Sequence, residues 1–399
     1  MSGRGNFFAV DRRCAEEAAK QRDGINLGTA YLVLARYASG RNHSSTKAGM
    51  TAIHTKLGLS RGRADAALKA LENAGLLTPP SRAGTRKLVA WGEYQTGALT
   101  ARQQAVLARV KAKADPILSG SDPDYQTAYA LSQKGALTAT KATAGKPRFK
   151  APEPEYLFLP NTLVDGFREG DHPLARLRQI GDARALRTLL AAYDATDLPE
   201  KGGIPRAMIR QTFSRVEAGR WGSFRVWAFA HPKTSAEWSS LTDPFDRGDR
   251  EEKSQQFWNA WQALCDAGLI EFVSYLCESA NTDAQPIHAL ADRGGTEEER
   301  KVTVEAHRAG LRMMSEAQID RAAAILEASR ITLCPVRSHA IDVQLVGIAR
   351  PVHRANTSKT GAWAHLYIHE AVRHAEVFAN LCVSRTKSES SPVVSTMDQ

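Results

Sequence analysis

A nine-residue pattern that occurs twice constrains this chain more than any other feature. Residues 69–77 read KALENAGLL and residues 262–270 read QALCDAGLI, an offset of 193 residues. In each, apolar residues at helical spacing end in Ala-Gly and run directly into an apolar stretch suited to a strand. A glycine just past a helix accepts the left-handed turn that reverses the chain. Each copy therefore calls for a helix, a stop at Gly75 or Gly268, and a strand from the next residue. At 399 residues the chain is long enough for two or three domains.

The flanks of the first copy extend the pattern. Asn26 suits an N-cap for a helix over 27–39, with Tyr31, Leu34 and Ala35 as its apolar face. A second helix is expected over 50–57, followed by the turn Gly58-Leu59-Ser60. Ser60 can cap a third helix over 61–74, with Ala64, Ala67, Leu68, Leu71 and Ala74 inward. The stretch MTAIHTKLGLSRGRADAALKALENAGLL resembles the helix-turn-helix of winged-helix DNA-binding proteins, particularly the bacterial GntR-like and MarR-like regulators. The resemblance covers residues 26–92, under a fifth of the chain.

It implies that the third helix enters the major groove. The side opposite its apolar stripe holds Gly62, Asp65, Ala66, Lys69 and Asn73, with Arg61 and Arg63 at the start. Arginine can bind guanine through two hydrogen bonds and asparagine adenine, while Gly62 and Ala66 permit close approach. Lys69 suits a phosphate. Asp65 would be repelled there, and either accepts from a cytosine amino group or pairs with Lys69 one turn on. Two short strands around SRAGTR would form a wing that carries Arg82, Arg86 and Lys87 to the backbone or minor groove. The candidate DNA-binding residues are thus Ser60, Arg61, Gly62, Arg63, Ala66, Lys69, Asn73, Arg82, Arg86 and Lys87.

Around the second copy the order is similar but looser. A strand is expected at 156–159, then a helix over 182–195 with Leu186, Leu189, Leu190 and Tyr193 inward. A further helix is expected over 204–213, with Pro205 in its first turn. The third helix, over 252–267, would bury Phe257, Trp258, Trp261 and Leu264 and lead into a strand over 269–276. Arg206, Arg210, Lys253, Gln255, Gln256, Asn259, Arg354 and Lys359 are candidates for a second surface. It would meet DNA, a protein partner or a second copy of the chain. Segments 343–354 and 362–370 bracket ANTSKTG and suggest a hairpin with Arg350, His353, Arg354 and Lys359 toward its tip. The aromatic run GRWGSFRVWAFAHP at 219–232 suits either a single-strand stacking platform or a partly buried strand.

The expected fold is α+β and predominantly helical: two winged-helix-type modules with β-hairpin wings, joined by a linker. The divisions are an N-terminal extension (1–25), the first module (26–92), a helical connector (93–134), a basic linker (135–155), a second winged-helix-like domain with insertions (156–383), and a disordered tail (384–399). Within the connector, a helix over 100–113 reads as solvated. Residues 1–150 hold 24 basic and 10 acidic side chains, net +14, whereas the remaining 249 residues are net −4. That asymmetry suits a polyanionic partner for the first part.

No span reaches the roughly 18 uncharged apolar residues that a membrane helix requires, and residues 1–20 lack the apolar core of a secretory signal. A cytoplasmic, nucleoid-associated location is expected. The five cysteines are widely spread, with no Cys-x-x-Cys pair. His369-Glu370 and His374 miss the zinc-protease spacing by one residue, and no phosphate-binding glycine loop occurs. Neither a metal, a cofactor nor catalysis is expected. The functional expectation is sequence-specific binding of double-stranded DNA, as a transcriptional regulator of a bacterial mobile element. The alternatives are a plasmid or phage replication initiator that binds repeated origin sites, because plasmid initiators also place two winged helices in one chain, or a non-enzymatic protein-interaction scaffold.

Overall fold

The structure, a computed structural model, describes residues 6–39, 44–94, 99–112, 120–133, 135–141, 147–150, 154–198, 200–230, 236–241, 248–340, 342–354 and 358–388. The chain is α+β, with about 47% helix and 22% strand. It divides into two compact units. The first comprises Met1–Tyr193 with Asn259–Ala267 and His353–Asn356, and the second comprises Asp194–Trp258, Gly268–Val352 and Thr357–Gln399.

The main division therefore falls at 193/194, whereas the sequence places it at 155/156. The cause lies at the start of the chain. Strand β1 (Phe7–Asp11) pairs antiparallel with the later strand Tyr156–Pro160, Phe7 opposite Pro160 and Asp11 opposite Tyr156. Helix α1 (Arg12–Lys20) follows, with Cys14, Ala15, Ala18 and Ala19 buried. The segment expected as an extension is thus part of the core. Helix α2 (Gly24–Arg36) is buried along nearly all of its length and needs cover on several sides. Asn26 lies inside this helix, donating to Asp23 at 2.8 Å, so the helix starts earlier than its capping residue suggests.

Two short strands, β2 (Ala38–Ser39) and β3 (Ser45–Thr46), precede α3 (Met50–Leu57) and α4 (Arg61–Asn73). Ser60 caps α4, its Oγ accepting from the Arg63 amide at 3.3 Å. Ala64, Ala67, Leu68 and Leu71 face inward. At Gly75 the chain takes φ of 74° and turns back. Leu77 then bridges Leu88, and the Val89 amide donates to the Leu76 carbonyl at 3.0 Å. Residues 76–89 thus form a hairpin, whose returning strand β4 (Arg86–Lys87) pairs with β3 to give the sheet order β2-β3-β4.

Next come α5 (Trp91–Tyr94), α6 (Ala101–Lys111), α7 (Tyr125–Gln133) and the hairpin of β5 (Thr138–Lys141) with β6 (Pro147–Lys150). These were expected as connector and linker. They form a core of their own instead: Val106, Leu107, Val110, Ala128, Leu131, Ala136, Leu137 and Phe149 are all buried together. The solvated reading of the helix at 100–113 fails because Leu107 joins Val106 and Val110 in one apolar stripe.

The paired strand β7 (Tyr156–Pro160) leads to α8 (Thr162–Asp165), α9 (Pro173–Gln179) and α10 (Ala183–Asp194). These close over α2. A Cβ on Gly28 would lie 2.2 Å from Leu186 Cδ2, so a larger residue there would push the Leu186 side chain aside. Asp165 gathers Arg36 at 2.8 Å, Lys56 at 3.0 Å and the Tyr37 hydroxyl at 3.0 Å. Burial alone would raise this carboxyl, but those partners hold it below its ordinary range.

The second unit is built on two sheets. Strands β8 (Ile209–Thr212), β9 (Arg215–Trp221), β10 (Phe224–Ala230) and β11 (Ala236–Ser239) precede α11 (Arg250–Asp266). Then come β12 (Ile270–Cys277), β13 (Pro286–Ala289), α12 (Glu297–Met313), α13 (Glu316–Ile325), β14 (Ile331–Arg337), β15 (Gln344–Pro351) and α14 (Ser358–Ser388). The larger sheet has order β11-β8-β15-β12-β13 and the smaller β14-β10-β9.

Three expectations change here. The helix at 204–213 is a Pro205 turn followed by β8, because Ile209 and Thr212 sit in a strand between β11 and β15. The C-terminal hairpin does not form: β15 pairs with β12, and 362–370 lies in α14. Tyr367, Ala371, Ala375, Phe378 and Cys382 are all buried and recur every three or four residues, which is helical spacing. The aromatic run is the β9–β10 hairpin, with Val226, Trp227 and Phe229 buried and only Trp221 among its tryptophans exposed, so the core reading describes it. The tail beyond 388 lies outside the described residues. No helix of the described residues is long and apolar enough to cross a membrane.

Candidate nucleic-acid interface

Helix α4 stands on its inner stripe, which leaves the opposite side outward. Arg61, Gly62, Arg63, Asp65, Ala66, Lys69 and Asn73 are all exposed along it. Ser60 fixes the first turn, where the helix dipole adds partial positive charge to that of the two arginines. Among the described residues neither Arg61, Arg63 nor Arg82 is paired with a carboxylate, and Arg82 is exposed in the loop of the 76–89 hairpin. Lys69 Nζ lies 2.8 Å from Asp65, and that hydrogen bond raises the lysine pKa. The exposed pair also reduces the charge Asp65 would present to a phosphate.

The hairpin cations behave differently from one another. Lys87 is exposed but meets Glu93 at 2.9 Å. Arg86 is half-buried and meets Glu72 on α4 at 3.1 Å, so it fixes the hairpin to the helix instead of reaching out. Lys47, directly after β3, is a further exposed cation of this unit. Sequence reading misses it, because two-residue strands carry no periodicity and its only signal is the general basic excess of 1–150. This surface can do what arginine forks, an amide and a cationic loop do: bond base edges and phosphates.

The second set of candidates is divided between the two units. Arg206 is 3% exposed and donates to Glu200 at 3.0 Å, the Ala284 carbonyl at 2.7 Å and Cys277 Sγ at 3.3 Å. It is a structural core cation. Arg210, Lys253 and Gln256 are half-buried, and Gln255 is exposed, all in the second unit. Asn259 (exposed) and Arg354 (half-buried) belong to the first unit. The Lys359 side chain lies outside the described residues.

Sequence reading also misses a buried ionic cluster in the second unit. Arg350 is fully buried, with Glu299 at 2.6 Å and Glu271 at 2.7 Å. Glu299 in turn accepts from the hydroxyls of Tyr275 and Tyr367 and from the Thr296 amide. Burial by itself would lower the Arg350 pKa, but the two carboxylates raise it. Nearby, burial pushes His288 down to about 4, and its neighbour His374 acts in the same direction. A cleft beside α14 is lined by Lys201, Trp363, Tyr367, His369, Glu370 and Arg373. Its Lys201 is paired with Glu370 at 3.2 Å and covers the Tyr367 ring at 5.2 Å. His365 and His369 face each other on α14 with ring centroids 4.4 Å apart. Among the described residues, no group of three or more His, Cys, Asp or Glu converges as a metal site.

Comparison of the chain with protein-family models, with curated proteins and with solved structures finds no match.

Proposed function

We propose that this chain is a sequence-specific duplex-DNA-binding protein, and that residues 26–92 work as a winged helix-turn-helix. Helix α4 reads base edges through Arg61, Arg63 and Asn73, and the 76–89 hairpin meets the sugar-phosphate backbone with Arg82 and Lys87. One observation carries the reading: the outward side of α4 is exposed from Arg61 to Asn73 and holds three cations against a single carboxylate, itself engaged by Lys69. A transcriptional regulator is the role we favour. Of the grounds for the replication-initiator alternative, the winged helix around Gly268 is weakened, since the chain there feeds a five-stranded sheet instead of a two-stranded wing. Selection of bound duplexes from a random pool, followed by footprinting, tests the proposal. A short motif lost in the Arg61→Ala, Arg63→Ala variant supports it; binding with no sequence preference, or none at all, overturns it. Tandem direct repeats beside an AT-rich tract would return the initiator role to favour.

A further inference from the structure

The helix–glycine–strand pattern occurs a third time, in the stretch that reads as connector and linker. Residues 129–137 are YALSQKGAL. Leu131 is fully buried, as are Leu71 and Leu264 at the matching place, and Gly135 takes φ of 73° where Gly75 takes 74°. The cap bonds match as well. The Gly75 and Leu76 amides donate to the Glu72 and Leu71 carbonyls at 3.0 and 3.0 Å, and the Gly135 and Ala136 amides donate to Ser132 and Leu131 at 3.1 and 2.9 Å. Each helix then enters an antiparallel hairpin. One short aromatic element serves both caps: Trp91 and Tyr94 stack with centroids 5.5 Å apart. A Cβ on Gly75 would lie 3.9 Å from Tyr94, and one on Gly135 would lie 3.9 Å from Trp91.

The β5–β6 hairpin has two dissimilar faces. Ala139 stands opposite Phe149, which is buried in the core shared with α6 and α7. On the other face Thr138 stands opposite Lys150 and Thr140 opposite Arg148, with both cations exposed. Residues 134–150 contain five basic and no acidic side chains. Asp122 and Asp124, which precede α7, are taken up by Arg109 at 2.9 and 3.0 Å. The outward positions of α7, namely Gln126, Tyr129, Ala130 and Gln133, carry no charge, so the cationic surface here belongs to the hairpin.

We infer that this hairpin is a second wing, which seats on phosphates of the same duplex that α4 reads, through Thr138, Arg148 and Lys150, while the Thr140 hydroxyl donates to the Arg148 carbonyl at 3.2 Å and ties the two strands together. Hydroxyls beside cations on a two-stranded ribbon bind phosphate oxygens without reading sequence. Because Trp91 and Tyr94 of one four-residue helix reach the Gly135 and Gly75 caps, the two hairpins start close enough together to engage one site. The inference rests on duplex binding by α4, and the test separates the two.

The experiment uses the full chain and two labelled duplexes, one selected and one random, over a sodium chloride series with hydroxyl-radical footprinting. Arg148→Ala with Lys150→Ala should weaken both duplexes by the same factor, lower the slope of log affinity against log salt by about 2, and shorten protection on one side only. The exchange Arg148→Lys with Lys150→Arg should restore the parent slope, which excludes misfolding as the cause. An unchanged slope and footprint in the double alanine variant, while Arg61→Ala with Arg63→Ala loses sequence preference, would refute the second wing and leave the first. A parent chain that binds neither duplex would refute both.

Discussion

Helix α4 and the core of the second unit use arginine in opposite ways. On α4, Arg61 and Arg63 stand exposed, with no carboxylate paired to them among the described residues. In the second unit, Arg206 and Arg350 are buried, at 3% and 0% exposure, and are enclosed by acceptors. The residue type is the same; the surroundings decide whether it meets a partner outside or stabilises the interior. A guanidinium out of water needs its full set of acceptors, and Arg350 has two carboxylates and a tyrosine hydroxyl nearby. The lesson is that a basic position gains meaning only when the acids around it are counted.

The contrast can be broken most forcefully from the buried side. Glu299→Ala leaves Arg350 buried with one carboxylate fewer, which should destabilise the second unit by roughly 3–5 kcal/mol in chemical denaturation. An effect under about 1 kcal/mol would mean the cluster is hydrated. On the exposed side, Arg61→Ala and Arg63→Ala should each cost roughly 1–3 kcal/mol in binding to a selected duplex, with no change in unfolding midpoint. A drop in stability there would show the arginines to be structural.

Acid should affect both units. Burial lowers His288 and His353 to about 4 from an ordinary 6.5, so between those values the unfolded chain binds more protons than the folded one. Stability is complete above about pH 6.5 and falls as pH drops toward 4, by on the order of 2 kcal/mol per histidine at pH 5. His288→Leu should flatten the loss in the second unit, and an unaltered pH profile would contradict this. Ser60→Ala should cost about 1 kcal/mol of stability through the lost cap, read from thermal unfolding. The smallest effect belongs to Asp65→Asn, which should tighten binding to any duplex slightly, with the gain vanishing as salt is raised. Weaker binding would assign Asp65 to a base contact.

The helices and hairpin of residues 50–89 could be read from the sequence because their signals are local. Ser60, the stripe at Ala64, Ala67, Leu68 and Leu71, and the stop at Gly75 lie within sixteen residues, and each acts on its immediate neighbours. What escaped depends on distant partners. β1 is defined by β7, about 150 residues on, and nothing in FFAVD names that partner. Over 204–213 the sequence favours a helix, because Pro205 suits a first turn equally well; the strand β8 is fixed by β15 and β11. In α14 the helical period shows only when the window runs past residue 370 to include Ala371, Ala375 and Phe378. For the candidate site, exposure of the α4 residues follows from period alone. The inward turn of Arg86 follows from Glu72, fourteen residues earlier, and no spacing rule links the two.

The brace over α2 bears on how this protein can be dissected. A fragment ending at 92 or 155 would strip Leu186 from the groove at Gly28 and remove Asp165 from Arg36, Tyr37 and Lys56. A helix almost wholly apolar would then meet water, and the truncated product should clump before any oligonucleotide reached it. Ending the fragment at 193 keeps these partners and the middle hairpin but still removes residues 259–267 and 353–356 of the same unit, among them the Ala267 and His353 carbonyls that accept from Arg176 and Tyr193, so the full chain is the safer material for any binding test.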